Sequence, residues 1–220
     1  MLQASTLGFL QALSEHNDKT WFDTNRPAYE AAKKDYEHFV DRLRVALVVI
    51  VPQLAEQRPK DLIFRIFRDV RFSKDKTPYK TNFGSYYCRA GKKAPDAGFY
   101  LHLEPGGKSF LGAGLWMPEG PLLKAVRQEI DYDFDNFQSI LNAPAFRKHF
   151  KKMEGERLKT LPQGYGPDNP AIEYLKHKSF IMTTALADEL WTQPDAVKKI
   201  ASLCGVANEW VGFLNRAMDA

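Results

Sequence analysis

The spacing of hydrophobic residues changes twice along this chain, and each change indicates a different secondary structure. Near the N-terminus Leu7, Leu10 and Leu13 recur at intervals of three, which is close to the period of an amphipathic helix. From Asp61 the apolar residues alternate with polar ones, as they do in strands, and after Pro118 the helical period returns. A chain that places helices, then strands, then helices predicts an α+β fold.

The alternating region contains several strand-like segments joined by short links rich in Gly, Pro and Lys. These segments are residues 62–72, 84–90, 97–104 and 109–117. Short links join antiparallel strands, since parallel strands need long crossovers. We therefore expect a single α+β domain over residues 1–220, with a central, mostly antiparallel sheet of about four or more strands flanked by N-terminal and C-terminal helices.

The same patterns predict which side chains form the core and where the second helix begins. Asn17 or Asp18 is expected to cap the helix that follows "EHNDKTWF". The residues expected to be mostly buried are Phe64, Ile66, Phe99, Leu101 and Leu103 of the strands, with Trp21 and Phe22 at the helix turn.

Composition narrows the class of protein. Charged residues make up 26% of the chain and the net charge is +4, a mildly basic balance that does not by itself imply a nucleic-acid partner. Cys88 and Cys204 stand far apart in the sequence and offer neither a disulfide framework nor a metal-binding pair of the CxxC type. The longest aliphatic run, residues 45–51, is far shorter than the ~20 residues of a membrane span, and the N-terminus lacks the pattern of a signal peptide. We expect a soluble cytoplasmic protein without a cofactor.

Positive charge is concentrated in one short segment, "FRIFRDVRFSKDKTPYK". On a strand, Arg65, Asp69 and Arg71 would project from one face. Proline at position 78 excludes helix at Thr77, so the following loop would keep its lysines close to the strand end. Such a group of cations suits a phosphate, a carboxylate or a nucleic-acid backbone. The predicted ligand-binding residues are Arg65, Arg71, Lys74, Lys76, Tyr79 and Lys80. The alternative is a structural one, in which Arg68 is half-buried and paired with a carboxylate of a helix, and the lysines form a solvated turn.

His102 is the first candidate for a proton-transfer group. His102 and Glu104 lie two residues apart on a predicted strand, so they share a face. An imidazole beside a carboxylate can act as an acid or a base, and Asp69 is the second candidate for this role. The alternative is an ordinary polar face of a sheet. No third ligand accompanies His102 and Glu104 in the sequence, so no metal site is predicted.

Several blocks of the sequence resemble one protein family. They are "FLQALSEHNDKTWFDTNRPAYE", "FRIFRDVRFSKDKTPYKTNFG" and "GFYLHLEPGGKSFLGAGLWMPEGPLLKAVRQEI". These blocks are similar to those of the bacterial and fungal family known as domain of unknown function 2461. The chain departs from the family pattern at Asp18, where a second asparagine or a similar small polar residue is expected. The resemblance covers essentially the whole chain and implies its extent, but the family brings no established activity.

Three functions are consistent with these features. The first is binding of a small anionic ligand, bearing phosphate or carboxylate, at the basic segment. The second is an enzyme that acts on such a substrate in the same cleft. The third is an interaction module for nucleic acid or an acidic protein. The compact cluster and the mild net charge favour the small anion. Whether any reaction is catalysed, and the oligomeric state, stay open.

Overall fold

The computed structural model describes residues 1–219, and it contains ten α-helices and a central sheet. In chain order the α-helices are α1 Ala4–Glu15, α2 Lys19–Thr24, α3 Arg26–Leu47, α4 Pro59–Leu62, α5 Gly120–Tyr132, α6 Phe134–Asn142, α7 Pro144–His149, α8 Ile172–Leu175, α9 Ala196–Val206 and α10 Asn208–Asp219. Two 3₁₀ turns, Pro52–Glu56 and Asp188–Thr192, complete the helical elements. None of the helices within residues 1–219 is long and apolar enough to cross a membrane.

Five strands form one antiparallel sheet, which confirms the predicted α+β class. They are β1 Phe83–Tyr87, β2 Gly98–Leu103, β3 Phe110–Leu115, β4 Met153–Glu154 and β5 Phe180–Ala185. Their order in the sheet is β1-β2-β3-β5-β4. The short strand β4 is in register with β5 through the pairs Met153↔Met182 and Glu154↔Ile181. Strands β4 and β5 lie outside the region of alternating hydrophobicity and were not predicted from the sequence.

The prediction of a first strand over residues 62–72 is wrong. In this segment α4 ends at Leu62, and the residues after it make only isolated bridges, Ile63↔Ser85 and Phe67↔Tyr79. The segment changes partner along its length: the N–H of Phe64 donates to β1, whereas the residues after it bond to the chain around Tyr79. Proline at position 78 also lacks an N–H for a ladder. A continuous strand cannot form when its partner changes every few residues.

The chain divides into two compact units, each built from separate stretches of sequence. Unit 1 comprises residues 1–92, 100–111 and 185–202, and unit 2 comprises residues 93–99, 112–184 and the segment that begins at Leu203. The single domain predicted over residues 1–220 stays a prediction.

Unit 1 has a core in which α1–α3 supply aromatic side chains. Tyr36 of α3 stacks on Phe83 with the ring centres 5.1 Å apart, and its hydroxyl bonds the Ser85 hydroxyl at 2.9 Å. Asp18 caps α2 by accepting a hydrogen bond from the N–H of Trp21 at 2.9 Å, which confirms one of the two predicted capping residues. Phe22, Ile66, Leu101 and Leu103 are buried as predicted.

Phe64 and Trp21 are less buried than the other residues of the predicted core, since each is only partly buried. The ring of Phe64 meets the ring of Tyr100 at 5.9 Å, on the face of β2 opposite to the core residue Leu101. The ring of Trp21 lies between Phe9 and His16, with ring centres at 6.1 and 5.8 Å. Phe64 therefore belongs to the surface that flanks the polar face of the sheet.

Unit 2 packs helices α5, α6 and α10 around a second aromatic core. Trp210 is fully buried and donates its indole N–H to the carbonyl of Ala113 at 3.1 Å. Gly114 lies beside this contact in a conformation with φ 127°, and a Cβ there would collide with the carbonyl of Phe180. Phe99 is completely buried in the same unit, as predicted.

Truncation of Phe99 and of Phe64 to alanine should distinguish a core position from a position near the surface. Phe99→Ala should lower the free energy of unfolding by about 3–5 kcal/mol, because a fully buried ring leaves a cavity. Phe64→Ala should cost only about 1–2 kcal/mol, because its half-buried ring loses less contact area. Urea unfolding of both variants measures the difference, and equal losses would contradict this assignment of the two faces.

His177 should make the stability of the protein depend on pH. Its Nδ1 is buried and finds no hydrogen-bond partner among residues 1–219. Burial first, and then Arg157, hold the pKa of His177 below its ordinary value of 6.5, while Glu173 opposes them. The imidazole of His177 therefore takes up a proton more readily in the unfolded chain than in the folded protein. Its contribution to stability is complete above pH 6.5 and declines as the pH falls towards the pKa of the folded state.

Urea unfolding at pH 7.5 and pH 5.5 tests this dependence. The wild type should lose more stability between the two pH values than His177→Gln, which has no proton to gain at this position. His38→Gln, at an exposed position on α3, should keep the wild-type dependence. An unchanged dependence in His177→Gln would show that this histidine carries none of the effect.

Candidate functional site

The face of β2 that points away from the core carries a row of polar side chains. Leu101 and Leu103 are buried, so the alternating residues Tyr100, His102 and Glu104 share the opposite face. Their side chains touch in sequence: the Tyr100 hydroxyl lies 3.2 Å from Nδ1 of His102, and Nε2 of His102 lies 2.8 Å from Oε2 of Glu104. The shared face predicted for His102 and Glu104 is therefore present, and Tyr100 extends it.

The imidazole of His102 is held in one orientation. Its ring stacks on Phe110 of β3 with the centres 4.6 Å apart and the planes 16° apart. Since an ionised carboxylate can only accept, Nε2 is the nitrogen that donates to Glu104. Nδ1 of the neutral ring is then an acceptor, and it faces both the Tyr100 hydroxyl and the amide nitrogen of Asn82, the latter at 3.3 Å. This is the arrangement in which a carboxylate positions an imidazole for acid–base work.

Glu104 is fixed and ionised by its own contacts. Burial raises the pKa of this carboxyl, but hydrogen bonds from His102 and Thr81 outweigh burial and leave the pKa below its ordinary value. The Thr81 hydroxyl donates to Oε1 at 3.0 Å, and Lys108 approaches the same oxygen at 3.4 Å. The Ser109 hydroxyl also binds both the N–H and the carbonyl of Glu104. Side chain and backbone are thus held together.

A group of cations lies around Phe64, next to this row. The ammonium of Lys80 is 5.7 Å from the centre of the Phe64 ring, and that of Lys92 is 5.8 Å from it. Burial, and then the charge of Arg65, lower the pKa of Lys80. Within residues 1–219 neither Arg65 nor Lys80 forms an ion pair, whereas Lys92 donates to the carbonyl of Ile63 at 2.5 Å. Arg65 thus lies near enough to Lys80 for its positive charge to act on that ammonium.

The other predicted cations belong to an exposed loop that supplies its own partners. Arg71 forms two bonds to the carboxylate of Asp69, at 2.9 and 2.7 Å. Lys76 donates to the carbonyl of Val70 at 2.9 Å. Lys74 is exposed and makes no ion pair within the part of the chain that the structure describes. Asp69, the second predicted proton-transfer residue, is committed to Arg71 and exposed.

A clasp of hydrogen bonds closes this loop at its base. Arg68 donates to the Asp75 carboxylate at 2.5 Å, to the carbonyl of Thr77 at 3.2 Å, and to the hydroxyl of Thr77. Asp75 in turn accepts from the N–H of Thr77 at 3.0 Å and from its hydroxyl at 2.9 Å. Arg68 is thus half-buried and paired, as the structural alternative expected, but its carboxylate partner Asp75 belongs to the loop and not to a helix.

Tyr79 does not lie beside the lysines, which corrects its predicted place. Tyr79 is only 5% exposed, and its ring stacks on that of Phe22 with the centres 4.0 Å apart in the core of unit 1. Neighbouring residues of an extended chain point to opposite sides, so a buried Tyr79 sends Lys80 outwards. Tyr79 therefore positions Lys80 and offers no surface to a ligand.

Several residues of the site were missed in the sequence. Tyr100 carried a signal, because it precedes His102 by two residues on the same strand. The sequence contains no such signal for Asn82, Thr81 and Phe110, because these residues reach the site only through the pairing of β2 with its neighbouring strands. Within residues 1–219 no group of three or more His, Cys, Asp or Glu side chains is placed to hold a metal ion.

A family model described as "Conserved hypothetical protein (DUF2461)" matches residues 5–213, nearly the whole chain. No curated protein and no solved structure shows significant similarity to the chain.

The clasp at the base of the loop should be visible in the titration of Asp75. The N–H of Thr77, then Arg68 and the Thr77 hydroxyl, lower the pKa of Asp75 from 3.8 to about 2. The stabilisation from this carboxylate should be present above pH 3.8 and lost as the pH falls towards 2. Arg68→Gln should move the pKa upwards, as followed by NMR of the carboxyl carbons.

Asp69 is the internal control, because its pKa is lowered by Arg71 rather than by Arg68. Its titration should stay unchanged in Arg68→Gln. A wild-type Asp75 that titrates at 3.8 would show that the clasp is not formed in solution.

Proposed function

We propose that this protein, which belongs to the DUF2461 family of conserved hypothetical proteins, binds a small anionic ligand bearing phosphate or carboxylate. The ligand lies on the surface formed by Arg65, Lys80, Phe64 and the Tyr100–His102 row. The observation that carries this proposal is the state of Lys80, a partly desolvated ammonium beside a second cation, with no carboxylate partner among residues 1–219.

Such an arrangement of charge destabilises the protein unless something offsets it. Burial removes water from the Lys80 ammonium, and Arg65 adds repulsion, so both effects favour the neutral amine. A bound anion would restore the lost solvation and cancel the repulsion at once. A small anion suits the surface, since the cations lie close to one aromatic ring rather than along an extended track.

Docking of a nucleic acid or an acidic protein is less well supported. Such a partner needs many free cations over a wide surface. In the exposed loop Arg68 and Arg71 are occupied by Asp75 and Asp69, and Lys76 by a backbone carbonyl.

An enzyme that acts on the bound anion is the second candidate, and one contact favours it. Nε2 of His102 lies 2.8 Å from Glu104, while Nδ1 points to other polar groups on a partly exposed face. A positioned imidazole next to an anion site is what proton transfer to or from a substrate requires.

We also propose a cytoplasmic location. Cys88 and Cys204 are both buried as thiols rather than joined in a disulfide, a state typical of a reducing compartment.

Thermal unfolding with and without phosphate tests the binding site. Inorganic phosphate should raise the Tm of the wild type more than sodium chloride of equal ionic strength, because a ligand that binds only the folded state stabilises it. The double variant Arg65→Gln, Lys80→Met should lose this difference. Methionine keeps the apolar stem over Phe64, so the variant without ligand should stay within about 1 kcal/mol of the wild type.

The matched control is Lys34→Gln, Lys60→Gln, which removes the same number of positive charges from exposed positions. This control should keep the response to phosphate. A double variant at Arg65 and Lys80 that responds like the control would refute the proposed site.

A further inference from the structure

Two lysines lie at the ring of Phe64, and they differ in what their amines contact. The ammonium of Lys92 donates to the carbonyl of Ile63 at 2.5 Å. The amine of Lys80, 5.7 Å from the centre of the same ring, forms no hydrogen bond or ion pair within residues 1–219. Lys80 therefore supplies an amine that no group of the described chain occupies.

The main chain fixes the point from which this amine projects. The N–H of Lys80 donates to the carbonyl of Ile66 at 2.8 Å, and Asn17 binds both polar backbone groups of Tyr79, the preceding residue, at 2.9 and 3.1 Å. Tyr79 is buried in the core and Lys80 is half-buried. A half-buried side chain on a fixed backbone keeps its amine within a small region of the surface.

The surroundings of Lys80 disfavour the charged form of its amine. Burial first, and then the charge of Arg65, lower the pKa of Lys80 from 10.5. Only a neutral amine has the lone pair that attacks an electrophile. Burial and a neighbouring cation are the two means by which proteins activate a lysine as a nucleophile.

Lys74 of the same basic segment provides the contrast. It also makes no ion pair within the part of the chain that the structure describes, but its side chain is exposed. Water therefore solvates its ammonium. The two lysines share a basic stretch of chain and differ in burial, which makes Lys74 an internal reference for the reactivity of Lys80.

We propose that Lys80 is a nucleophile that forms a Schiff base with the aldehyde or keto group of an anionic ligand. This inference rests on the proposed anion site and deepens it, because the positive charge of Arg65 attracts anions towards this amine. Small 2-oxo acids and phosphorylated aldehydes carry both the charge and the carbonyl that such a site requires.

The step needs no oxidant or reductant. The neutral amine attacks the carbonyl carbon, so a C–N bond forms and the carbonyl oxygen takes up a proton. Loss of this oxygen as water then breaks the C–O bond and leaves an iminium ion, whose positive charge replaces that of the ammonium. The iminium withdraws electrons from the neighbouring bonds of the ligand, which is how lysines of this kind activate carbonyl substrates.

Reductive trapping with cyanoborohydride tests the inference, because it converts a Schiff base into a stable amine that peptide mass spectrometry locates. Glycolaldehyde phosphate and glycolaldehyde carry the same aldehyde, but only the first is an anion, and glyoxylate is the carboxylate counterpart. At pH 7.5 and low reagent concentration, the preferred anionic aldehyde should modify Lys80 about three- to tenfold faster than Lys74, because a lowered pKa raises the neutral fraction of the amine. It should also modify Lys80 faster than glycolaldehyde does.

Variants assign the reaction to Lys80 and its surroundings. Lys80→Arg keeps the positive charge but has no nucleophilic amine, so it should lose the fast modification while phosphate still raises its Tm. Arg65→Gln removes the neighbouring cation and should slow the modification of Lys80. Lys34→Arg, at an exposed position of α3, is the matched control and should leave the modification of Lys80 unchanged.

The outcomes separate this inference from the proposed function. If phosphate raises the Tm but none of the three aldehydes modifies Lys80 faster than Lys74, the anion site stands and the nucleophile is refuted. If phosphate has no effect and Lys80 shows no preference, both are wrong. Fast modification of Lys80 at the same rate by glycolaldehyde and by both anionic aldehydes would refute an anionic ligand for this amine.

Discussion

The candidate site depends on how the backbone of Tyr79 is held. Asn17 binds both of its polar groups, donating to the carbonyl at 2.9 Å and accepting from the N–H at 3.1 Å. The residues on either side bond in the other direction, since the carbonyl of Pro78 accepts from Arg68 and the N–H of Lys80 donates to Ile66. Held from both sides, the chain here must be extended. Tyr79 therefore enters the core and Lys80 faces the polar side of the sheet.

Basic residues that lie close together in this region have two different roles. In the loop, arginines at positions 68 and 71 are bound by nearby carboxylates, so their charge shapes the chain. Arg65 and Lys80 have no such carboxylate partner within residues 1–219, and the Lys80 ammonium is partly desolvated. Proximity in sequence therefore says little about role, because an acid two or seven residues away decides whether a cation is available.

The side chains of the polar row on β2 are held in place by contacts from the chain on both sides of this strand. Thr81 and Asn82 approach from the residues just before β1, and Phe110 approaches from β3. Each neighbour restricts one degree of freedom of His102 or Glu104. An isolated strand would show the same alternation of side chains, but its imidazole could rotate. Pairing of the strands supplies the preorganisation on which acid–base chemistry relies.

Periodicity in the sequence determined the α+β class, the strands near 84–90, 97–104 and 109–117, and the shared face of His102 and Glu104. These features follow from local alternation, which an extended backbone imposes wherever it occurs. Tertiary structure alone decided that residues 62–72 form no strand and that Tyr79 is buried. It also brought Asn82, Thr81 and Phe110 to the site. The reason is physical: partners for backbone and charged groups come from distant parts of the chain, and one sequence read along its length does not show which of them meet.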